Sequence, residues 1–175
     1  RRKSLMVGQQ YNMATGAPLS CQKDGTPLNY TEEIEPYEKA PQAAGARLNK
    51  YAWKTDDIWE RDNDWVLMRY AEILLMRAEA NFRLGFDGNA LLLVNQLRGR
   101  AQVAPLAAVT EEGLDKEWLH EFVFEGLRRT VNIRFGTYFQ PWWNKDATPT
   151  YKGVFPIPQS VLDKNPNLKQ NPDYL

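Results

Sequence analysis

Two apolar stripes separated by a five-residue connection constrain this chain more than any other feature. Between Trp65 and Leu84, the residues Leu67, Ala71, Leu74, Ala78 and Phe82 recur at spacings of three and four, which puts them on one face of a helix. Arg69, Glu72, Glu79 and Arg83 fall on another face. Asp62-Asn63-Asp64 precede the run, and their short side chains accept hydrogen bonds from the free N–H groups of a first turn, so they are the expected cap. Gly85 stops the helix, because a residue without Cβ takes the left-handed cap without a clash. Leu93, Val94, Leu97 and Ala101 stripe a second helix over 90–101, and Pro105 ends any continuation. The short turn Gly85–Asn89 makes the two helices an antiparallel hairpin.

Ala78, Gly85 and Ala90 have the spacing of a tetratricopeptide unit, where small residues let paired helices approach closely. The large aromatic positions of that repeat are missing, and one unit is visible where three or more usually stack. Thr110 with Glu111 and Glu112 opens a third helix over 113–129, with Leu114, Trp118, Phe122 and Gly126 on its buried side. The first 62 residues differ: Gly8, Gly16, Pro18, Gly25, Pro27, Pro36, Pro41 and Gly45 rule out long helices there. Short strands fit around 5–11 and 28–31, and Tyr11, Tyr30, Tyr37, Tyr51 and Trp53 supply material to pack, so this is an ordered arm and not a disordered tail. Beyond Gly136 the prolines 141, 149, 156, 158, 166 and 172 return the chain to irregular structure, with room for one helical turn near 159–163. The expected fold is all-α: a tetratricopeptide-like helix pair and a further helix over 63–136, an irregular arm over 1–62 and an irregular C-terminal segment over 137–175.

The chemistry offered by the side chains is narrow. The 22 basic and 22 acidic residues cancel, so no charge surplus calls for nucleic acid, a membrane surface or a polyanion. Cys21 is alone and excludes an internal disulfide framework. The only histidine, His120, sits mid-helix far in sequence from that cysteine, which leaves no nucleophile–base pair and no zinc site. Asp56-Asp57 and Asp62/Asp64 lack the spacing of a calcium loop, and capping is the commoner use of Asp62 or Asp64. No phosphate-cradling glycine loop is present. No cofactor and no metal are expected. No apolar run approaches the ~20 residues of a membrane span. The opening Arg1-Arg2-Lys3-Ser4 lacks an initiator Met and a leader, and it reads as an internal start with an N-terminal portion missing.

Glu125 and the pair Arg128-Arg129 stand three and four residues apart on the predicted third helix, the spacing of a structural ion pair. Trp142-Trp143 follow Pro141 in a predicted loop. Flat aromatic faces in loops stack on sugar rings, and loops on rigid scaffolds carry binding groups. The commoner use of such rings is to plug a loop onto the helices beneath it. Trp53 and Trp59, which flank Asp56-Asp57, carry the same two readings.

Four ordered segments resemble the SusD/RagB family of nutrient-binding outer-membrane lipoproteins. Arg69-Tyr70-Ala71-Glu72-Ile73-Leu74-Leu75-Met76-Arg77-Ala78-Glu79-Ala80 is similar to its RYAE-xLLM-xAEA helix, and Val94-Asn95-Gln96-Leu97-Arg98-Gly99-Arg100-Ala101 to its VNxLRxRA pattern. Phe124-Glu125-Gly126-Leu127-Arg128-Arg129 with Ile133-Arg134-Phe135-Gly136 supplies the third segment. Phe155-Pro156-Ile157-Pro158 with Asn165-Pro166-Asn167-Leu168-Lys169-Gln170-Asn171-Pro172 is similar to the family's ending. The opening Arg1-Arg2 resembles the end of a DPRR stretch. Two departures stand out: Glu117-Trp118 replaces a Glu-Arg early in the third helix, which rewires a helix–helix ion pair, and Asp173 replaces a Gly.

The resemblance covers nearly the whole chain, as the C-terminal part of a longer protein. It implies a mostly α-helical fold, an N-terminal lipidated cysteine that tethers the protein to the outer-membrane surface, and a role as the lid of a SusC-type TonB-dependent transporter. Glycans, or sometimes peptides, would be captured for import without catalysis. Cys21 is not the lipidated residue, since it is internal and no apolar segment precedes it. The family's ligand-binding residues lie mostly upstream of the matched segments, so none is carried over. Two other readings compete: a helical-repeat module that contacts a protein partner, and a glycosidase with paired carboxylates, for which nothing in the chain singles out a pair.

Overall fold

In a computed structural model, which describes residues 4–35, 37–51, 54–55 and 63–174, the two apolar stripes form the expected helix pair. Helix α1 spans Tyr70–Arg83 and α2 spans Asp87–Arg100. Ala78 on α1 and Ala90 and Val94 on α2 are fully buried. Gly85 is left-handed at φ 80°, and Phe86 N–H donates to Asn81 O at 2.8 Å, closing a Schellman-type end.

Both helix starts differ from expectation. α1 begins at Tyr70, so Asn63 and Asp64 do not cap it, and Leu67 lies outside the helix with 89% of its surface exposed. Asp62 is outside the described residues. α2 begins three residues before Ala90, because Gly88 and Asn89 are tolerated in a first turn whose N–H groups have no helical partner. Asp87 there also faces the positive end of the helix dipole.

The third predicted helix is two helices. α3 spans Glu111–Phe122, and Thr110 Oγ1 caps it by accepting from Gly113 N–H at 3.0 Å. Leu114, Trp118 and Phe122 are buried, as the periodicity predicts. The chain then breaks at Phe124 and Gly126, both left-handed, at φ 67° and 79°. α4 resumes over Arg128–Arg134. Phe124 is what hid the break, since a bulky residue is rarely left-handed. The reversal lets Arg128 reach back to Asp115 on α3 with a two-pronged bond, at 2.6 Å to Oδ1 and 2.8 Å to Oδ2. Glu125 lies in the turn between the two helices, and Arg128 pairs with Asp115. Arg129 donates to the carbonyls of Lys152 and Gly153 and stacks on Phe155 at 4.1 Å, which fastens the C-terminal segment to α4. A single turn, α5, spans Gln159–Leu162.

The chain divides into two compact units, Arg1–Glu72 and Ile73–Leu175. The first is built from two-residue strands. β1 (Leu5–Met6) pairs antiparallel with β4 (Arg47–Leu48), and β2 (Gly8–Gln9) pairs with β3 (Asn29–Tyr30). Three extended segments meet in a closed ring of backbone hydrogen bonds, each at 2.9 Å: Gln10 N–H to Leu28 O, Leu28 N–H to Leu19 O, and Leu19 N–H to Gln10 O.

Candidate functional site

Trp142 and Trp143 sit at the tip of a short finger in the helical unit. Trp142 N–H donates to Lys145 O at 3.0 Å and Lys145 N–H returns to Trp142 O at 2.9 Å, so Trp143 and Asn144 are the central pair of a tight turn. Asn144 supplies the left-handed residue, at φ 54°, which a short amide side chain tolerates. Thr148 N–H bonds Phe139 O at 3.0 Å and closes the base of the finger.

Neither ring is buried. Trp142 is 47% exposed and Trp143 is 61% exposed. The Lys145 ammonium sits 4.8 Å over the Trp142 ring and 5.8 Å over Tyr138, while donating to the carbonyls of Gln140 and Asp146. One face of Trp142 is therefore taken by a cation, and Trp143 is the more exposed residue of the two. Trp53 and Trp59 lie outside the described residues, as do Asp56 and Asp57. His120 is exposed on α3, and Cys21 is buried in the N-terminal unit. Among the described residues, no group of three His, Cys, Asp or Glu stands where it could hold a metal.

A buried ion-pair cluster joins α1, α3 and α4 in the same unit. Glu79 is almost fully buried and accepts from the Trp118 indole N–H at 3.0 Å, from Arg134 at 2.7 and 3.0 Å, and from Arg83 at 3.0 Å. Burial pushes the Glu79 carboxyl up, but the Arg134 and Arg83 guanidinium groups outweigh it and hold the carboxyl below the usual range. Arg134 also stacks 5.0 Å over the Trp118 ring. Trp118 thus joins an ion-pair cluster through its N–H. Buried Glu117 and Glu121 pair across the helices with Arg98 and Arg100. These links are 19 and 21 residues apart in sequence, beyond the reach of any helical spacing rule.

The profile of the SusD family matches residues 9–153. The chain belongs to the SusD family. Over 123 residues, 65% of the chain, it is 40% identical to the starch-binding protein SusD of Bacteroides thetaiotaomicron, of which it covers 22%. A SusD-like protein of Formosa agariphila is 28% identical across 98% of the chain, which covers 35% of that relative. Among solved structures, the surface glycan-binding protein A of Bacteroides uniformis matches 62% of the chain and 28% of its own length at 31% identity, with a TM-score of 0.52. A SusD-like protein of Bacteroides fragilis matches 97% of the chain and 37% of its own length at 19% identity, with a TM-score of 0.71, a likeness of fold. The chain spans well under half the length of each of these relatives and solved structures.

Proposed function

We propose that this chain is the C-terminal, helix-rich part of a non-catalytic surface protein that captures glycans for import. The carrying observation is the pair of exposed tryptophans on a pinned turn in a chain of the SusD family. Trp143 offers a flat apolar face to the C–H groups of a sugar ring, and Asn144 beside it offers an amide to the hydroxyls. A stacked ring contributes on the order of 1 kcal/mol, so capture is weak and suited to hand-off. Stacking needs neither nucleophile nor base.

The family resemblance extends the proposal to the whole protein. A lipid anchor upstream of this chain would hold it at the outer-membrane surface, where it would lid a SusC-type TonB-dependent transporter. Among the described residues, no helix is long and apolar enough to cross a membrane. The naming of one relative as starch-binding makes an α-glucan the first ligand to try. In gels cast with soluble starch, Trp143→Ala should reduce retardation more than Trp142→Ala, because Trp143 is the more exposed of the two. Retardation unchanged by both substitutions together would remove the finger from the site. Peptide capture, or a protein contact through exposed Ile73 and Met76 on α1, is the second reading, and absence of retardation by any glycan would favour it.

A further inference from the structure

The N-terminal unit holds a second concavity, well apart from the Trp142–Trp143 finger in sequence. It encloses about 640 Å³, inside the range of about 300–1,000 Å³ usual for ligand clefts. Gln10, Leu19 and Leu28 line it, and these are the three residues joined by the closed ring of backbone hydrogen bonds. The floor is therefore set by mutually locked main chain. Tyr11, Tyr30 and Asn49 complete the walls.

The rim beside Tyr11 is also fixed. Asn12 Oδ1 accepts from both Ala14 and Thr15 N–H at 2.9 Å, and Asn12 N–H donates to Ala17 O at 2.8 Å. These bonds leave the Asn12 side-chain NH₂ unspent. Tyr11 is 57% exposed although it lines a concave surface. Its hydroxyl and the Asn49 side-chain amide make no hydrogen bond among the described residues. The Arg47 guanidinium sits 4.7 Å over the Tyr30 ring. Among the described lining residues Lys54 is the one that carries a charge, and no carboxylate faces the groove. A flat ring, amides that both donate and accept, and little net charge match a neutral sugar, whose faces are apolar and whose edges carry hydroxyls.

We propose that this groove is a binding site for a short stretch of neutral oligosaccharide, with Tyr11 as the stacking platform and Asn12 and Asn49 as hydroxyl partners. The proposal rests on the glycan-capture reading and adds to it a site separate from the tryptophan finger. Two modest sites on one chain would raise retention of a long polymer far more than that of a short fragment.

Amide and indole NMR signals of the full chain, titrated with maltohexaose, cellohexaose and xylohexaose, distinguish the possibilities. At least one of the three should shift the Gln10, Leu28 and Asn49 signals. Tyr11→Ala should weaken that binding about ten-fold, the effect of one stacked ring. Asn49→Ala should weaken it several-fold, and the Trp142→Ala, Trp143→Ala double variant should leave these shifts intact. Tyr11→Phe keeps the ring and should retain most of the affinity, which separates stacking from misfolding. Shifts confined to the Trp142 and Trp143 indoles would overturn the groove while leaving glycan capture standing. No shift with any of the three sugars would overturn both. Groove shifts that survive Tyr11→Ala and Asn49→Ala would overturn the assignment of these residues. Tighter binding of a galacturonate hexamer would overturn the neutral class.

Discussion

In the unit Ile73–Leu175, Leu75, Ala78, Ala90 and Val94 are wholly excluded from solvent, and buried Glu79, Glu117 and Glu121 are neutralised by arginines. In Arg1–Glu72, outside α1, the buried apolar residues among those described are Cys21, Leu28 and Ala44. Order there comes from main-chain bonds between two-residue strands, from the closed 10–19–28 ring, and from side chains that tie turns, such as Asn12, Thr31 and Arg47. Buried apolar area is the main favourable term in folding, so the helical unit carries the greater share of stability. The turn-built unit spends its side chains differently: fewer are needed inside, and more polar and aromatic groups are left to line a groove. Each unit thus presents exposed aromatic rings on a backbone that something else has already made rigid.

Substitutions that attack one mode of stabilisation and spare the other sharpen this contrast. Leu75→Ala should cost about 4 kcal/mol in chemical denaturation followed by far-UV dichroism, through lost burial and the cavity left behind. A loss below about 1 kcal/mol would mean that the helical seam is not the main source of stability. Glu79→Ala should cost about 3 kcal/mol, because it strands two arginines and the Trp118 N–H.

The Glu79 carboxyl titrates lower in the folded chain than in the unfolded one. Its contribution is therefore complete above about pH 4.3 and is lost as pH falls through the lower folded value. Melting curves of Glu79→Gln should accordingly fall less steeply than wild type across that acid window. Equal slopes would show that the carboxylate's charge is not what stabilises the cluster.

The smallest effect belongs to the turn-built unit. Gly45 has φ +81°, and a Cβ there would stand 2.2 Å from Ile34 Cγ1. Gly45 N–H also bonds Thr31 Oγ1 at 2.9 Å. Gly45→Ala should cost about 2 kcal/mol from the left-handed strain and the shift forced on Ile34, read as faster amide exchange at Leu28 and Thr31. Unchanged exchange would mean that the bonds around Thr31 do not depend on the Gly45 turn.

From the residues alone, helix existence and burial were legible where one period ran unbroken. The stripes of α1 and α2, the Gly85 stop, the Thr110 cap and the buried Leu114, Trp118 and Phe122 all follow from spacing, because local geometry repeats every 3.6 residues. Three of the four motifs that pointed to the family lie within residues 9–153, which the family's profile matches. What only the tertiary structure decided concerns groups that meet across long loops. The break at Phe124 brings Arg128 back to Asp115, and Glu79 gathers Trp118 and Arg134 from 39 and 55 residues away. The groove lined by Tyr11, Tyr30 and Asn49 forms through backbone bonds among segments whose side chains carry no periodic signal. Periodicity reports what each residue does within its own helix or strand. It is silent on partners chosen in space, where a buried charge goes to whichever opposite charge the folded chain brings within reach.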